Sequence, residues 1–319
     1  MFHAEKIETL DLPDLEPYRT LKRPEDHQRR GIFVATNVKV VTRLLHTAYT
    51  IHSMLLTEEW LQRLAPLIAA RPEQIRVFLG PKKLLETITG YTMHQGALAL
   101  AQIPPQPSLD TILAGSPRPH LLAAVDGFSN AENLGALIRS CGAFGAQALL
   151  VSETSCSPYL RRCVSSSMGV IFHLPTLECA SLTTTLRDLR ARGLRILAAH
   201  PEPGGKTIVQ ANFTGDCCVV FGSEGYGISE PVLQVCDERI AIPMLVEMDS
   251  LNAASAGAVF LYEAGRQRGA LTQTLSAPER KPDPAVLPRP VPGARSEPTR
   301  AMPFVESSAT FASPPAANS

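Results

Sequence analysis

The sequence predicts an α/β protein with a mostly parallel sheet, and two observations carry that prediction. Across residues 120 to 269, apolar runs of strand length alternate with segments whose apolar residues recur at helical spacing. Short polar and glycine-containing constellations stand at the edges of those runs, where α/β proteins keep their chemistry on loops held by a rigid sheet.

The elements follow in chain order. Residues 1 to 18 open with the acidic stretch MFHAEKIETLDLPDLEP and are expected to be a flexible arm. Residues 19 to 102 form a first, small α/β domain. Within it Val40, Val41, Leu44 and Leu45 recur at helical spacing, while Ile75 to Leu79 and Gly96 to Ala101 have the pattern of short strands. Residues 103 to 119, IPPQPSLDTILAGSPRP, are rich in Pro, Ser and Gly and are expected to link two domains.

In the second domain, 120 to 269, the expected strands are His120 to Val125, Ala148 to Val151, Ile171 to Leu174, Arg195 to Ala199, Cys217 to Phe221 and Arg239 to Ile242. The expected helices between them are Asn133 to Phe144, Tyr159 to Met168, Ser181 to Arg192 and Glu230 to Cys236, and Leu251 to Arg268 closes the domain. Such alternation implies a sheet covered on both faces. From Leu275 the chain carries ten of its 27 prolines and few large apolar residues. The tail 270 to 319 buries too little to offset its ordering entropy and is expected to be disordered.

Composition narrows the function classes. The 319 residues, 45% hydrophobic, suffice for two cores, and 30 basic residues balance 30 acidic ones. A nucleic-acid site would therefore have to be local. The candidate is Arg19, Lys22, Arg23, Arg29, Arg30, Lys39 and Arg43, opposed by Glu25 and Asp26; the other reading is an ordinary solvated basic arm. Seven cysteines without CxxC spacing argue against zinc and against a disulfide framework. No metal is expected. Nor is there a signal-peptide core or a membrane-length apolar run, so a soluble cytoplasmic protein is expected.

Three constellations remain, each with two readings. Asn133 stands where a helix begins and could be its N-cap or a site residue; Arg139 lies off the apolar stripe Leu134, Leu137, Ile138, Cys141 and Phe144. With Gly135, Ala136 and Gly142 around it, Arg139 is either a surface arginine or one that a ligand approaches closely. Gly222-Ser223-Glu224-Gly225-Tyr226-Gly227 follows an apolar strand and is either a tight turn or a ligand cradle. It matches neither the GxGxxG fingerprint, nor a Walker loop, nor a GxSxG elbow. In Ser250-Leu251-Asn252 one polar residue can cap the last helix, which leaves the other unexplained. The small face Ala253, Ala254, Ala256, Gly257 and Ala258 suits close helix packing.

Taken in order with their flanks, these residues resemble the SpoU, or TrmH-like, RNA 2′-O-ribose methyltransferases of the SPOUT class. The family's N-x-x-A-x-x-R motif is matched by Asn133 to Arg139 after Asp126, its G-x-E-x-x-G by Gly222 to Gly227, and its I-P-M and S-L-N by Ile242-Pro243-Met244 and Ser250-Leu251-Asn252. The first domain, through Phe33-Val34-Ala35, Val41 to Leu45 and His94-Gln95-Gly96, looks like an L30e-like substrate-binding domain. It departs at Thr36-Asn37, where many members carry Glu-Gly, and the loop after Ile242-Pro243-Met244 departs at Val246, where many have glycine.

The resemblance implies a carboxy-terminal trefoil knot, a homodimer, S-adenosyl-L-methionine as cofactor and RNA as substrate. It implies cofactor contacts at Gly222, Ile242 and Leu251, and catalytic roles for Arg139, Asn133, Glu224, Ser250 and Asn252. The first domain favours ribosomal over transfer RNA as substrate. The alternatives are a transfer RNA 2′-O-methyltransferase and a non-catalytic RNA-binding protein that kept the fold. Family precedent gives the arginine the proton-removing role, but bringing a guanidinium from above 12 to neutrality would cost about 7 kcal/mol. Holding an RNA phosphate is the second role open to it.

Overall fold

The structure, a computed structural model, describes residues 2–21, 23–89, 96–202, 205–245 and 251–271. Two sheets organise them. The first contains β1 (His3–Lys6), β2 (Ile32–Thr36), β3 (Ile51–Leu56), β4 (Arg76–Leu79) and β5 (Ala97–Gln102), in the order β1-β4-β3-β5-β2. β5 runs antiparallel to β2 and β3; the β1–β4 and β3–β4 pairs are parallel. The accompanying helices are α1 (Glu16–Arg19), α2 (Pro24–Arg29), α3 (Val38–Leu45), α4 (Glu58–Ala69) and α5 (Lys82–Thr89). α3 starts at Asn37, whose Oδ1 accepts from the Lys39 N–H at 3.0 Å, and only Lys39 and Arg43 of its residues are exposed.

The expectation of a flexible arm over 1 to 18 is corrected here. His3–Lys6 is an edge strand on β4, and Leu15 and Tyr18 are fully buried. The Tyr18 hydroxyl meets Ser53 Oγ at 2.9 Å, and burial raises its pKa well above the ordinary phenol value. The arm is thus the outer layer of the first sheet's core.

The second sheet contains β6 (Leu121–Asp126), β7 (Ala148–Val151), β8 (Thr176–Glu178), β9 (Arg195–Ala199), β10 (Lys206–Thr207), β11 (Cys217–Gly222) and β12 (Glu238–Ala241). Its order is β10-β12-β9-β11-β6-β7-β8 and every ladder is parallel, as the alternation predicted. The helices are α6 (Leu109–Gly115), α7 (Ala131–Phe144), α8 (Arg161–Ser166), α9 (Leu182–Ala191), α10 (Glu230–Leu233) and α11 (Ala253–Gln267).

Two expectations fail in this half. The segment 103 to 119 is more than a linker, because it contains α6, whose Ile112 is buried with Leu122, Leu186 and Ile196. Ile171 to Leu174 is not a strand: Val170–Phe172 is a 3₁₀ turn, and the edge strand is β8 just after it. The 270 to 319 tail falls outside the described residues from 272 onward.

One core joins the two sheets. Phe33 of β2 lies 5.5 Å from the Tyr159 ring and 5.8 Å from Phe172, and Tyr49 lies 5.5 Å from Phe172. None of the seven cysteines is in a disulfide. Burial pushes the Cys141 thiol up to about 12, which leaves it a packing group rather than a nucleophile.

Candidate active site

In an open parallel sheet the carboxyl ends of the strands face a crevice that serves as the natural binding position. Here β6 and β11 are neighbours in register, with Gly222 opposite Asp126. The buried Asp126 carboxylate accepts from the Ser229 N–H at 2.8 Å, tying the end of β6 to the segment after the glycine turn. The turn itself is closed by a two-hydrogen-bond bridge between Ser223 and Gly227, at 3.0 and 2.9 Å. Gly222 cannot be replaced there. An added Cβ would lie 2.1 Å from Gly227 C and 2.2 Å from Ile228 N.

The helix after β6 decides between the readings of Asn133. Its N-cap is Asn130, whose Oδ1 accepts from the N–H groups of Glu132 at 2.8 Å and Asn133 at 3.3 Å. That leaves the Asn133 side chain free, and it donates through Nδ2 to Glu224 Oε1. Asn252 does both jobs left open for it. Its Oδ1 caps α11 by accepting from Ala254 and Ser255 N–H, while its Nδ2 donates to Glu224 Oε1 and, at 3.2 Å, to Asn133 Oδ1. Three sequence-distant residues therefore close one hydrogen-bonded triad with a carboxylate at its centre.

The triad stands at the rim of a cavity of about 370 Å³ whose lining includes Gly222, Ile242 and Leu251 together with Glu224. His200, just beyond β9, also lines it, as do Phe221, Ala253 and Ala256. None of those four was read from the sequence as a site residue: Ala253 and Ala256 were read as a packing face, and the strand order that brings the end of β9, with His200, beside β11 leaves no mark on a linear pattern. Ser250 and Val246 lie outside the described residues.

Arg139 is not brought to the triad. It is exposed and makes no hydrogen bond or ion pair among the described residues, and it does not line the cavity. Helix geometry explains this, since six residues turn an α-helix through about 240° beyond one full turn, placing Asn133 and Arg139 about 120° apart. Its small neighbours serve another purpose than ligand approach. A Cβ on Gly135 would lie 2.4 Å from the Cys163 carbonyl oxygen, and one on Gly142 would lie 2.6 Å from Val170 Cγ1. These glycines seat α7 on α8 and on the turn after it.

The small face of the last helix is likewise used within the chain. Gly257 packs on Leu137 of α7, with an added Cβ at 2.2 Å. Half of the described cations of the basic segment are ion-paired, Arg19 with Asp11, Arg29 with Asp26 and Arg30 with Glu16, while Arg43 bonds a backbone carbonyl and Lys39 is exposed. Lys22 lies outside the described residues. Among those residues, no group of three or more His, Cys, Asp or Glu is placed to hold a metal ion.

Comparison with known proteins agrees with this fold. The SpoU rRNA Methylase family model matches residues 120–262. A Mycobacterium avium (strain 104) protein named as an uncharacterized tRNA/rRNA methyltransferase is 38% identical over 193 residues, 59% of this chain and 61% of its own length. The match thus spans less than two thirds of that relative. Among solved structures, the SpoU methyltransferase AviRb from Streptomyces viridochromogenes, in complex with the cofactor AdoMet, superposes with a TM-score of 0.69 at 26% identity, covering 81% of this chain and all (100%) of that one. An RNA 2′-O ribose methyltransferase superposes with a TM-score of 0.67 at 25% identity, covering 84% of this chain and 99% of its own. The residues that match the SpoU rRNA Methylase family model, 120–262, carry β6 to β12 and the triad's Asn133, Glu224 and Asn252.

Proposed function

We propose that this protein is an S-adenosylmethionine-dependent RNA methyltransferase that modifies a ribose 2′-hydroxyl, of ribosomal RNA in preference to transfer RNA. The observation that carries the reading is the Asn133–Glu224–Asn252 triad at the rim of the 370 Å³ cavity. Its size falls within the range of about 300–1,000 Å³ usual for small-ligand pockets. Its walls suit the group: Phe221, Ile240, Ile242 and Leu251 offer apolar surface for a flat heterocycle, and the backbone of Gly222 to Gly225 offers polar atoms beside it. Glu224 supplies the carboxylate that a positively charged ligand requires. S-adenosylmethionine held there would supply an electrophilic methyl group, whose transfer to a ribose oxygen leaves a neutral thioether and releases the hydroxyl proton.

The chain's own residues have the remaining tasks. Asn133 and Asn252 fix the Glu224 carboxylate at the rim, and Ser250, two residues before Asn252 in sequence, belongs to the same reading. Arg139 needs a substrate phosphate as its partner, since none of the described residues occupies it. It then orients the RNA and favours loss of the hydroxyl proton through its charge. Because α7 points Arg139 away from the triad of its own chain, the reading includes a homodimer in which the arginine of one protomer serves the pocket of the other. The trefoil knot, an L30e-like role for the first domain in holding RNA, and a cytoplasmic location belong to the same proposal. Among the described residues, no helix is long and apolar enough to cross a membrane.

Arg139→Ala tests the assignment. Calorimetric binding of S-adenosylmethionine is expected to stay within about threefold of wild type, and methylation to fall by at least about a hundredfold. Mapping 2′-O-methylated nucleotides in ribosomal and transfer RNA, with and without the gene, identifies the substrate. Near-normal methylation by the variant would remove Arg139 from the mechanism, and absence of cofactor binding by wild type would remove the reading altogether.

A further inference from the structure

The helix that carries Arg139 is seated on a short turn that the first domain holds in place. α8 ends at Ser166, and the next three residues are unusual: Ser167 is fully buried, Met168 has φ 54° and Gly169 has φ 81°. A methionine in the left-handed region is costly, and such a residue persists only where its surroundings over-determine it. Three sets of bonds do so. Ser167 Oγ donates to the Val164 carbonyl at 2.8 Å and accepts from the Gly169 N–H at 3.2 Å. The Met168 N–H donates to the Ser165 carbonyl at 3.1 Å. The third comes from a different sheet's domain, where Arg43 of α3 donates through Nη1 to the Met168 carbonyl oxygen.

Arg43 is fitted to this turn, as a Cβ on Gly169 would lie 3.1 Å from Arg43 Cδ and 3.3 Å from its Cβ. On its other side the same turn meets α7. Gly135 abuts Cys163, Ser166 and Ser167, and Gly142 abuts Val170. Arg139 lies between those two glycines in sequence. By the helical period it stands about 40° around the helix from Gly135 and about 60° from Gly142, so it emerges along the seam that the turn defines.

We propose that Arg43 is a positioning residue for Arg139: by clasping the strained turn at Met168, the first domain sets the seat of α7 and with it the direction of the Arg139 side chain. The proposal rests on the reading of Arg139 as the residue that contacts RNA. It makes the first domain part of the catalytic scaffold as well as a separate module. A displacement of the order of 1 Å at such a residue is enough to lower turnover by up to about a hundredfold.

The test compares full-length wild type, Arg43→Ala and Arg43→Lys. Arg43→Ala is expected to lower kcat for RNA methylation about ten- to a hundredfold, with S-adenosylmethionine Kd within twofold of wild type. Arg43→Lys, which can still donate to the Met168 carbonyl, recovers kcat to within about threefold. Amide hydrogen exchange gives a readout independent of activity. In Arg43→Ala it should quicken in residues 166–170 and in α7 around Arg139, and stay unchanged in the glycine turn at 222–227. Unchanged kcat, absence of rescue by lysine, or faster exchange confined to α3 would each overturn the proposal. If wild type methylates no RNA, the functional reading fails on its own, and exchange still decides whether Arg43 holds the seat of α7.

Discussion

Gly135→Ala separates two explanations for the small residues beside Arg139. If they admit a ligand, the added methyl group obstructs binding and leaves the fold unchanged. The structure assigns them to packing. The new Cβ would stand 2.0 Å from Ser166 Oγ, 2.4 Å from the Cys163 carbonyl oxygen and 3.0 Å from the Ser167 nitrogen. Ser166 can turn its hydroxyl away, but the Cys163 carbonyl belongs to α8 and cannot yield alone. Relief to ordinary van der Waals contact requires the two helices to part by about 1 Å.

Overpacking of this kind costs about 1–3 kcal/mol, and a backbone obstacle places it near the upper end. Alanine returns up to about 1 kcal/mol through its greater helix propensity. A net destabilisation of about 1–2 kcal/mol is expected, read as a lowered urea midpoint at unchanged slope. Turnover should fall as well, because α7 carries both Asn133 and Arg139. A variant as stable as wild type but weakened in RNA binding would refute the packing argument and restore the ligand-approach reading.

The remaining predictions concern one cap and one half-buried carboxyl. Asn252→Asp retains an oxygen to cap α11 but replaces the amide that donates to Glu224 by a second carboxylate, whereas Asn252→Ala loses both functions. Asn252→Ala should lose about 1 kcal/mol from the missing cap, and Asn252→Asp should be the more stable of the two while equally low in turnover; an active Asp variant would detach the triad from catalysis. Burial raises the pKa of the Glu178 carboxyl, and the hydrogen bond to Ser157 only partly opposes it. The folded protein therefore keeps this proton to higher pH than the unfolded chain does, and stability falls as pH rises from the ordinary carboxylate range through the folded value. In Glu178→Gln that slope should flatten and stability at neutral pH should at least equal wild type; an unchanged slope would exclude Glu178 as its source.

What the sequence disclosed, and what it hid, follows from which interactions leave a pattern. β7 and β9 were legible to the residue, because each is centred on a short apolar run buried on both faces, Ala148–Val151 in one and Ile196–Ala198 in the other. β1 was not legible: all four of its side chains are exposed, and it is held on β4 by backbone hydrogen bonds to which His-Ala-Glu-Lys gives no clue. Ile171 to Leu174 failed for the opposite reason. A short buried apolar run has the same composition as a strand or a 3₁₀ turn, and periodicity over four residues cannot choose. Asn130 and Asn133, three apart, are equally good caps by residue type, and only the start of the helix shows which one is spent on the backbone and which is left for the site.

Of the eight proposed site residues, Ser250 lies outside the described residues, Asn133, Glu224 and Asn252 meet in the triad, and Gly222, Ile242 and Leu251 line the cavity beside it. Arg139 stands apart, and that separation was implicit in the motif all along. Two residues six positions apart on one α-helix diverge by about 120°, so N-x-x-A-x-x-R starts its two polar side chains in different directions. α7 instead presents Asn133 toward the amino end of α11 and Arg139 along the α8 seam, while Leu134, Ile138 and Cys141 are buried between the two. A motif written as one site thus spans two faces of a helix. On the proposed reading, its outward arginine acts on an RNA strand or on the pocket of a second protomer.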